Sequence, residues 1–329
     1  MSVLVTGGAG YVGSHTAIEL MDKGYEVIII DNLQKGHEKA VLNKAKFYSG
    51  DLRDENFLHR VFEENEIEAV VHFAANSLVG ESVEQPLSYY DNNVYGALKL
   101  LQTMKKFNVD TIVCSSTAAV YGEPKHIPIL ESDPTEPTNP YGETKLAIEK
   151  MMKWSAQAHG LKYTALRYFN VAGAHTNGLL GEDHHPETHL IPIILQVALG
   201  NRDSISIFGD DYDTPDGTCV RDYIHVTDLA DAHILALENL KAGGESGAFN
   251  LGSGQGFSVK EVIETAREVT GKEIPAEVAP RRAGDPAKLV ASSEKAKKIL
   301  GWNPKRESLH EMIGSAWNWF RNHPGGYED

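Results

Sequence analysis

Thr6-Gly7-Gly8-Ala9-Gly10-Tyr11-Val12-Gly13 is the stretch on which the reading of this chain turns. It follows an apolar run, Ser2–Val5, that reads as a strand, and precedes a helical pattern over about 12–22. Glycines at 7, 10 and 13 allow a tight turn whose backbone N–H groups can approach a pyrophosphate. The helix that starts there adds a favourable positive potential. Tyr11 and Val12 lie within the same turn. A glycine triplet alone is weak evidence; its place between strand and helix is what gives it weight.

The next apolar run, Val27–Ile30, ends in Asp31, eighteen residues after Gly13 (31 − 13 = 18), followed by Asn32. A carboxylate there can accept hydrogen bonds from adenosine ribose hydroxyls and would repel a 2′-phosphate, so NAD is expected rather than NADP. Asp51-Leu52 closes a third strand where an adenine could lie, and a simple turn explains that pair equally well.

Working outward, short apolar runs alternate with helical patterns. Strands are expected at Ser2–Val5, Glu26–Ile30, Lys46–Ser49, Ala69–Phe73, Thr111–Ser115 and Tyr163–Tyr168, and helices at about 12–22, 54–65, 87–107 and 140–158. This order predicts an α/β fold built on a doubly wound parallel sheet of Rossmann type. After Asn170 loops become longer and richer in His, Gly, Asp and Pro, with helices at about 189–200, 227–241, 258–270 and 292–300. Ser258 and Ser292 are expected N-caps, Gly271 and Gly301 expected stops. A cofactor domain over 1–170 and a smaller α/β substrate domain over 171–329 follow, with the chain crossing between them more than once.

The chain has 329 residues, 41% hydrophobic and 23% charged, which fits a globular protein. Lys and Arg number 31 against 46 Asp and Glu, a net charge of −15 that disfavours nucleic acid or a lipid surface as partner. Cys114 and Cys219 form no spaced pair, and Cys114 sits in a core-like run. No basic leader precedes Val3, and no apolar stretch approaches the roughly 20 residues that span a bilayer. A cytoplasmic protein without membrane contact is expected.

Tyr141-Gly-Glu-Thr-Lys145 opens a helical segment just after Pro140, so phenol and ammonium share one face, a turn apart. Lowering a phenol from a pKa near 10 by about three units takes about 4 kcal/mol. A cation about 4 Å away supplies roughly that at an effective dielectric near 20. Lys145 and a positive nicotinamide ring are thus expected to make Tyr141 a proton acceptor. Ser115-Ser116-Thr117 closes the fifth strand at the sheet edge where ligands bind, and a hydroxyl there can hold a reacting alcohol oxygen.

At these residues the chain resembles the extended short-chain dehydrogenase/reductase family. Within it, the likeness over essentially the whole length is to the epimerases that interconvert UDP-galactose and UDP-glucose through a 4-keto sugar. It is carried by VLVTGGAGYVGSHT, VIIIDN, GD at 50–51, VHFAA, VGESVEQPLSYYDNNV, SSTAAVYGE, NPYGETK, LRYFNVAGAH, VRDYIHVTDLADAH, NLGSG, APRRAGDPA and HPGGYED. The resemblance implies Tyr141 as acid/base, Lys145 as its electrostatic partner and Ser116 as the hydroxyl orienting the sugar oxygen. It implies NAD among Gly7, Gly10, Tyr11, Val12, Gly13, Asp31, Asn32, Asp51, Leu52, Phe73, Ala74, Ala75, Asn92, Ser115, Tyr141, Lys145 and Phe169. It implies a UDP-hexose held by Ser116, Tyr141, Asn170, His189, Leu190, Ser206, Phe208, Arg221, Arg282 and Asp285. Arginine forks also suit a diphosphate on physical grounds. A homodimer through the 87–107 and 140–158 helices is implied as well.

The related 4,6-dehydratases carry an Asp-Glu pair where this chain has Ala118 and Ala119, and methyl groups cannot move the protons of that elimination. Leu289 falls where the family varies a residue near the sugar C2 substituent, so other nucleotide-sugar 4-epimerases, above all of UDP-N-acetylglucosamine, are an open alternative. A non-catalytic NAD-sensing protein would not need the Tyr141–Lys145 pair. His184, His185 and His189 cluster in the sequence, but Pro186 and the loop-like composition favour a loop or substrate-lining role, and no metal is expected.

Overall fold

The computed structural model describes residues 1–42, 44–282 and 285–327. Gly284, within APRRAGDPA, and Glu328 and Asp329, within HPGGYED, lie outside these.

Fourteen strands are present among the described residues: β1 (Ser2–Thr6), β2 (Glu26–Asp31), β3 (Lys46–Ser49), β4 (Ile67–His72), β5 (Thr111–Ser115), β6 (Lys162–Arg167), β7 (Asn170–Ala172), β8 (Ile205–Phe208), β9 (Val220–Arg221), β10 (Tyr223–His225), β11 (Gly247–Asn250), β12 (Phe257–Ser258), β13 (Ala276–Ala279) and β14 (Lys288–Leu289). The helices are α1 (Tyr11–Asp22), α2 (Glu55–Glu63), α3 (Val79–Glu84), α4 (Pro86–Tyr89), α5 (Gly96–Lys106), α6 (Pro140–His159), α7 (Leu190–Ala198), α8 (Val226–Lys241), α9 (Val259–Thr270), α10 (Glu294–Leu300) and α11 (Leu309–Asn322).

Seven strands form one parallel sheet in the order β11-β6-β5-β4-β1-β2-β3. The runs Val3–Val5, Ile28–Ile30 and Ala69–Val71 are buried throughout, because helices cover both faces of such a sheet. Winding reverses between β1 and β4, and that reversal opens a crevice at the carboxyl ends of the two strands. The glycine turn, Phe73-Ala74-Ala75 and Ser115–Thr117 all leave the sheet at this edge.

The sheet takes in one strand from beyond residue 170. β11 pairs with β6, and α8 packs on α1, so a cut near 170 divides the sequence and not the sheet. The smaller sheets β7–β10, β8–β13 and β12-β9-β14 lie in the remaining part. There α7, α9 and α11 share a core that includes Ile194, Leu195, Val262, Ile263, Met312 and Ile313. No α11 is expected from the sequence reading, although Leu309, Met312, Ile313, Ala316 and Trp317 follow helical spacing and are all buried.

Ser258 caps α9 and shares a reciprocal capping box with Glu261, while Gly271 and Gly301 end α9 and α10 in left-handed conformation. The cap of α10 is Ser293, not Ser292, and its side chain makes no cap bond. The helix expected over 87–107 is interrupted by a π-helical segment, Tyr90–Tyr95. Such segments mark functional positions in helices, and this one carries Asn92. No helix among the described residues is long and apolar enough to cross a membrane.

Candidate active site

The glycine turn is shaped by contacts that exclude any side chain. A Cβ on Gly7, whose φ is +73°, would sit 2.6 Å from Ala74 N, and one on Gly13 would sit 2.1 Å from Gly7 O. The turn thus presses directly on the end of β4, where Phe73 N and Ala74 N both donate to Thr6 O. No acidic residue occupies the first turn of α1, so its N-terminal potential stays open to a phosphate. Tyr11 anchors the turn by donating its hydroxyl to Gly173 O at 2.6 Å, and Val12 is half-buried beside it.

Asp31 ends β2 with its carboxylate accepting from Ala9 N at 3.0 Å and Leu33 N at 2.9 Å. Burial raises its pKa, and these backbone bonds oppose the rise. Asp51 belongs to an ion-paired cluster: Arg53 Nε lies 2.9 Å from Oδ1, and Asn32 Nδ2 lies 3.1 Å from Oδ2. Arg53 holds the Asp51 carboxyl well below the usual range. Leu52 is buried nearby. On the opposite wall Asn92 Nδ2 donates to Asn93 Oδ1 at 3.0 Å. The fully buried Asn93 also binds Asn76 O and Thr144 Oγ1, tying the π segment to α6.

Asn139 caps α6 through Gly142 N, and Pro140 occupies the first turn, where it lacks only an N–H that has no helical partner. One turn on, buried Lys145 donates from Nζ to Ser115 O at 2.8 Å. The side chain of Thr117 stands near the phenol of Tyr141 and acts to lower its pKa. Burial pushes Tyr141 up to about 12 against the lowering effect of Thr117, and burial lowers Lys145. The drop expected in the phenol is one that Lys145 and a positive nicotinamide ring bring about together, and Lys145 Nζ, with one donor on a carbonyl of β5, keeps two more.

Ser116, the hydroxyl expected to face the substrate, has its partner on α6. Ser116 is buried and donates from Oγ to Glu149 Oε1 at 2.5 Å. That hydroxyl is turned toward α6, which carries Glu149. Thr117 is the one near Tyr141, its Oγ1 accepting from Ala119 N at 3.1 Å. Ser115 Oγ meets Tyr168 OH, and Phe169, half-buried, packs against the small cluster of Val120 and Tyr121.

Candidate substrate residues gather on the small sheets. Asn170 donates from Nδ2 to Asp222 O at 3.1 Å, joining β7 to β10. Arg221 pairs with Asp285, and Leu289 lies opposite Arg221 in the β9–β14 pairing. Arg282 stacks its guanidinium 3.9 Å above the ring centre of Phe208, on the strand that also exposes Ser206. Arg282 and Asp285 line a cleft of about 740 Å³ that Tyr212, Arg281 and Lys288 share. His189 caps α7 immediately before Leu190, its ring turned to Glu182 and Glu187.

The site therefore brings together a glycine turn at a helix N-terminus, a carboxylate fixed at the end of β2, a Tyr–Lys pair one helical turn apart and a cleft lined by arginines. Comparison with known proteins agrees with that chemistry. The model of the NAD dependent epimerase/dehydratase family matches residues 3–252. A UDP-glucose 4-epimerase of Halalkalibacterium halodurans is 64% identical over 99% of this chain and 98% of its own length. A crystal structure of a UDP-glucose 4-epimerase, 62% identical, covers 100% of both chains with a TM-score of 0.99. The enzyme of Brucella ovis in complex with NAD is 47% identical, covers 97% of this chain and 98% of its own, and gives a TM-score of 0.94. Agreement of that breadth in sequence and fold makes the chain a member of the NAD dependent epimerase/dehydratase family.

Proposed function

We propose that the chain interconverts UDP-galactose and UDP-glucose. The observation that carries this reading is the half-buried Tyr141 phenol, near Thr117 and one helical turn from buried Lys145 at the switch-point edge of the sheet. NAD fits the residues present: only glycine is tolerated at 7 and 13, and Asp31 is fixed at the end of β2. When bound, NAD⁺ supplies an acceptor that takes two electrons from sugar C4 and later returns them to the opposite face. Gly7, Gly10, Tyr11, Val12 and Gly13 would hold its pyrophosphate, Asp31 its adenosine ribose, and Asp51, Leu52, Ala74, Ala75 and Asn92 the walls around it. Tyr141 takes the 4-hydroxyl proton and gives it back after the keto sugar has turned. Thr117 fixes the phenol and the sugar oxygen between them. Arg221 and Arg282 hold the diphosphate, so the sugar can turn while its nucleotide stays.

Incubating the purified protein with UDP-galactose and resolving the products tests the reading. UDP-glucose should accumulate to a mixed equilibrium without added cofactor, and NAD should be released on denaturation. No UDP-glucose from protein that retains NAD would reject it.

The Thr117 assignment makes its own prediction. Thr117→Val should lower kcat about 10- to 100-fold, the worth of a hydrogen bond to a group that becomes charged. Ser116→Ala should stay within a few-fold, since Glu149 keeps Arg167. The reverse ranking would return the role to Ser116.

Leu289 favours a second substrate, UDP-N-acetylglucosamine. It is half-buried opposite Arg221 and smaller than a tyrosine, leaving room at the sugar. Leu289→Tyr should depress N-acetylglucosamine turnover far more than glucose turnover. A wild type inert toward the N-acetyl sugar would reject this extension.

The outer faces of α4 and α6 expose Leu87 at 82% and Trp154 at 65%, with Val83 and Tyr90 alongside. Large apolar residues grouped in this way suit a helix-to-helix interface between two copies. Sedimentation should return twice the chain mass of 36.1 kDa, and Leu87→Lys with Trp154→Lys should shift it to the single chain.

A further inference from the structure

Four side chains converge in the segment that leads into α7, away from the Tyr141 centre. Glu182 and Glu187 are deeply buried, with side chains only 6% and 4% exposed. Both face the same two imidazoles. His184 Nδ1 lies 3.2 Å from Glu182 Oε1 and 3.7 Å from Glu187 Oε2. His189 Nδ1 lies 3.0 Å from Glu182 Oε1 and 2.8 Å from Glu187 Oε1. One ligating atom from each of the four residues falls within 4.8 Å of every other.

Those separations have a chemical meaning. A tetrahedral ion with bonds of about 2.0–2.2 Å sets its ligand atoms about 3.3–3.6 Å apart. The four His–Glu distances, from 2.8 to 3.7 Å, straddle that edge length and the other ligand atoms lie within 4.8 Å of one another, so side-chain rotations would complete the polyhedron. A second observation is independent of the distances. The buried Nδ1 of His184 makes no hydrogen bond of acceptable direction, although a carboxylate oxygen is within reach.

We propose that Glu182, His184, Glu187 and His189 form a binding site for one divalent first-row cation, zinc being the best match. Two imidazoles and two carboxylates are borderline ligands that suit zinc, and the two negative charges balance the ion. Any proton on either Nδ1 leaves for solvent as the ion enters. With four protein ligands the coordination is closed, which makes the role structural.

The position says what such an ion would hold. His189 caps α7, and Asp183 and His185, next to the ligands, are gripped from the cofactor side. There His37 Nε2 lies 3.1 Å from Asp183 O, and Lys35 Nζ lies 3.2 Å from His185 O. The ring of Tyr11, in the glycine turn, stands edge-on to His184 at 6.3 Å between centres. An ion here fastens the 182–189 loop between the cofactor turn and the start of α7. Coordination through Nδ1 leaves His189 Nε2 outside the ion's shell. His185 takes no part, its ring lying 3.3 Å from Asp183 Oδ1 on the surface. This inference does not rest on the sugar specificity proposed for the site.

The test uses the protein with its NAD. After dialysis against a chelator, calorimetric titration with Zn²⁺ should show one ion per chain. Glu182→Gln combined with His184→Gln should weaken binding by at least about a hundredfold, more than loss of an outer-shell partner costs. Equal binding by wild type and variant, or none by either, would overturn the proposal. If the variant loses its NAD, Co²⁺ loaded into the wild type decides instead. Intense visible bands of a four-coordinate ion support the site, and the weak spectrum of six-coordinate Co²⁺ overturns it.

Discussion

Tyr141→Phe should lower kcat for epimerisation by roughly 10³-fold, within the 10²–10⁴-fold span of a lost acid/base group. The expectation rests on what the substitution leaves intact. A phenyl ring keeps the shape of the half-buried side chain, so α6 and the sheet edge should hold. Thr117 keeps the hydrogen bond it accepts from Ala119 N, which limits the structural cost. Lys145 keeps its bond to Ser115 O. Circular dichroism and NAD released on denaturation should match wild type, and KM should change little because the arginines hold the diphosphate. The proton of the 4-hydroxyl then has no acceptor. Since burial already pushes this phenol up to about 12, deprotonation at neutral pH requires a cation brought close to it. A variant within tenfold of wild-type kcat would move the proton transfer to another group.

The parts of this fold that could be read in the sequence are those whose cause is local. The glycine turn follows from spacing alone, and β1 to β6 follow from apolar runs that must be covered on both faces. Gly271 and Gly301 end their helices because a left-handed residue there costs glycine little. What escaped is decided by direction or by distant partners. Ser115, Ser116 and Thr117 are adjacent hydroxyls on extended chain, where successive side chains point to opposite sides. Alternation groups Ser115 with Thr117, consistent with their contacts to Tyr168 and Tyr141, against Ser116 with Glu149. Which group faces the ligand depends on how the sheet is covered, and no short stretch encodes that. The π segment at Tyr90–Tyr95 is likewise set by the pull of Asn93 toward Asn76 and Thr144. At 182–189 the histidines are conspicuous in the sequence, but the burial of Glu182 and Glu187 against them is set by the fold. His184 and His189 meet through a turn at Pro186 rather than along a helix face.

Arg167→Met should destabilise the protein by about 3–5 kcal/mol, the cost of stranding one member of a buried ion pair. Arg167 leaves β6 beneath the catalytic edge, and every arm of its guanidinium is used. Nε lies 3.0 Å from Glu149 Oε1, Nη2 lies 2.5 Å from Glu149 Oε2, and Nη1 donates to Tyr121 OH at 2.8 Å. Both side chains are nearly sealed from water, at 8% exposure each. Methionine can fill the volume, but the Glu149 carboxylate is left with Ser116 as its sole remaining partner among the described residues. Tyr121 keeps Asn250, to which it donates at 2.7 Å, so the damage should centre on Glu149. Methionine at both 149 and 167 removes the two charges together and should cost less than the single change, because no buried charge remains. Denaturant midpoints at unchanged slope would measure all three proteins. The single variant should also lose activity, since Ser116 sits directly beside Thr117 and a protonating, shifting Glu149 would disturb the strand end that presents it. If single and double variants were equally destabilised, the loss would come from packing, and the charge pair would not be what holds this edge of the sheet in place.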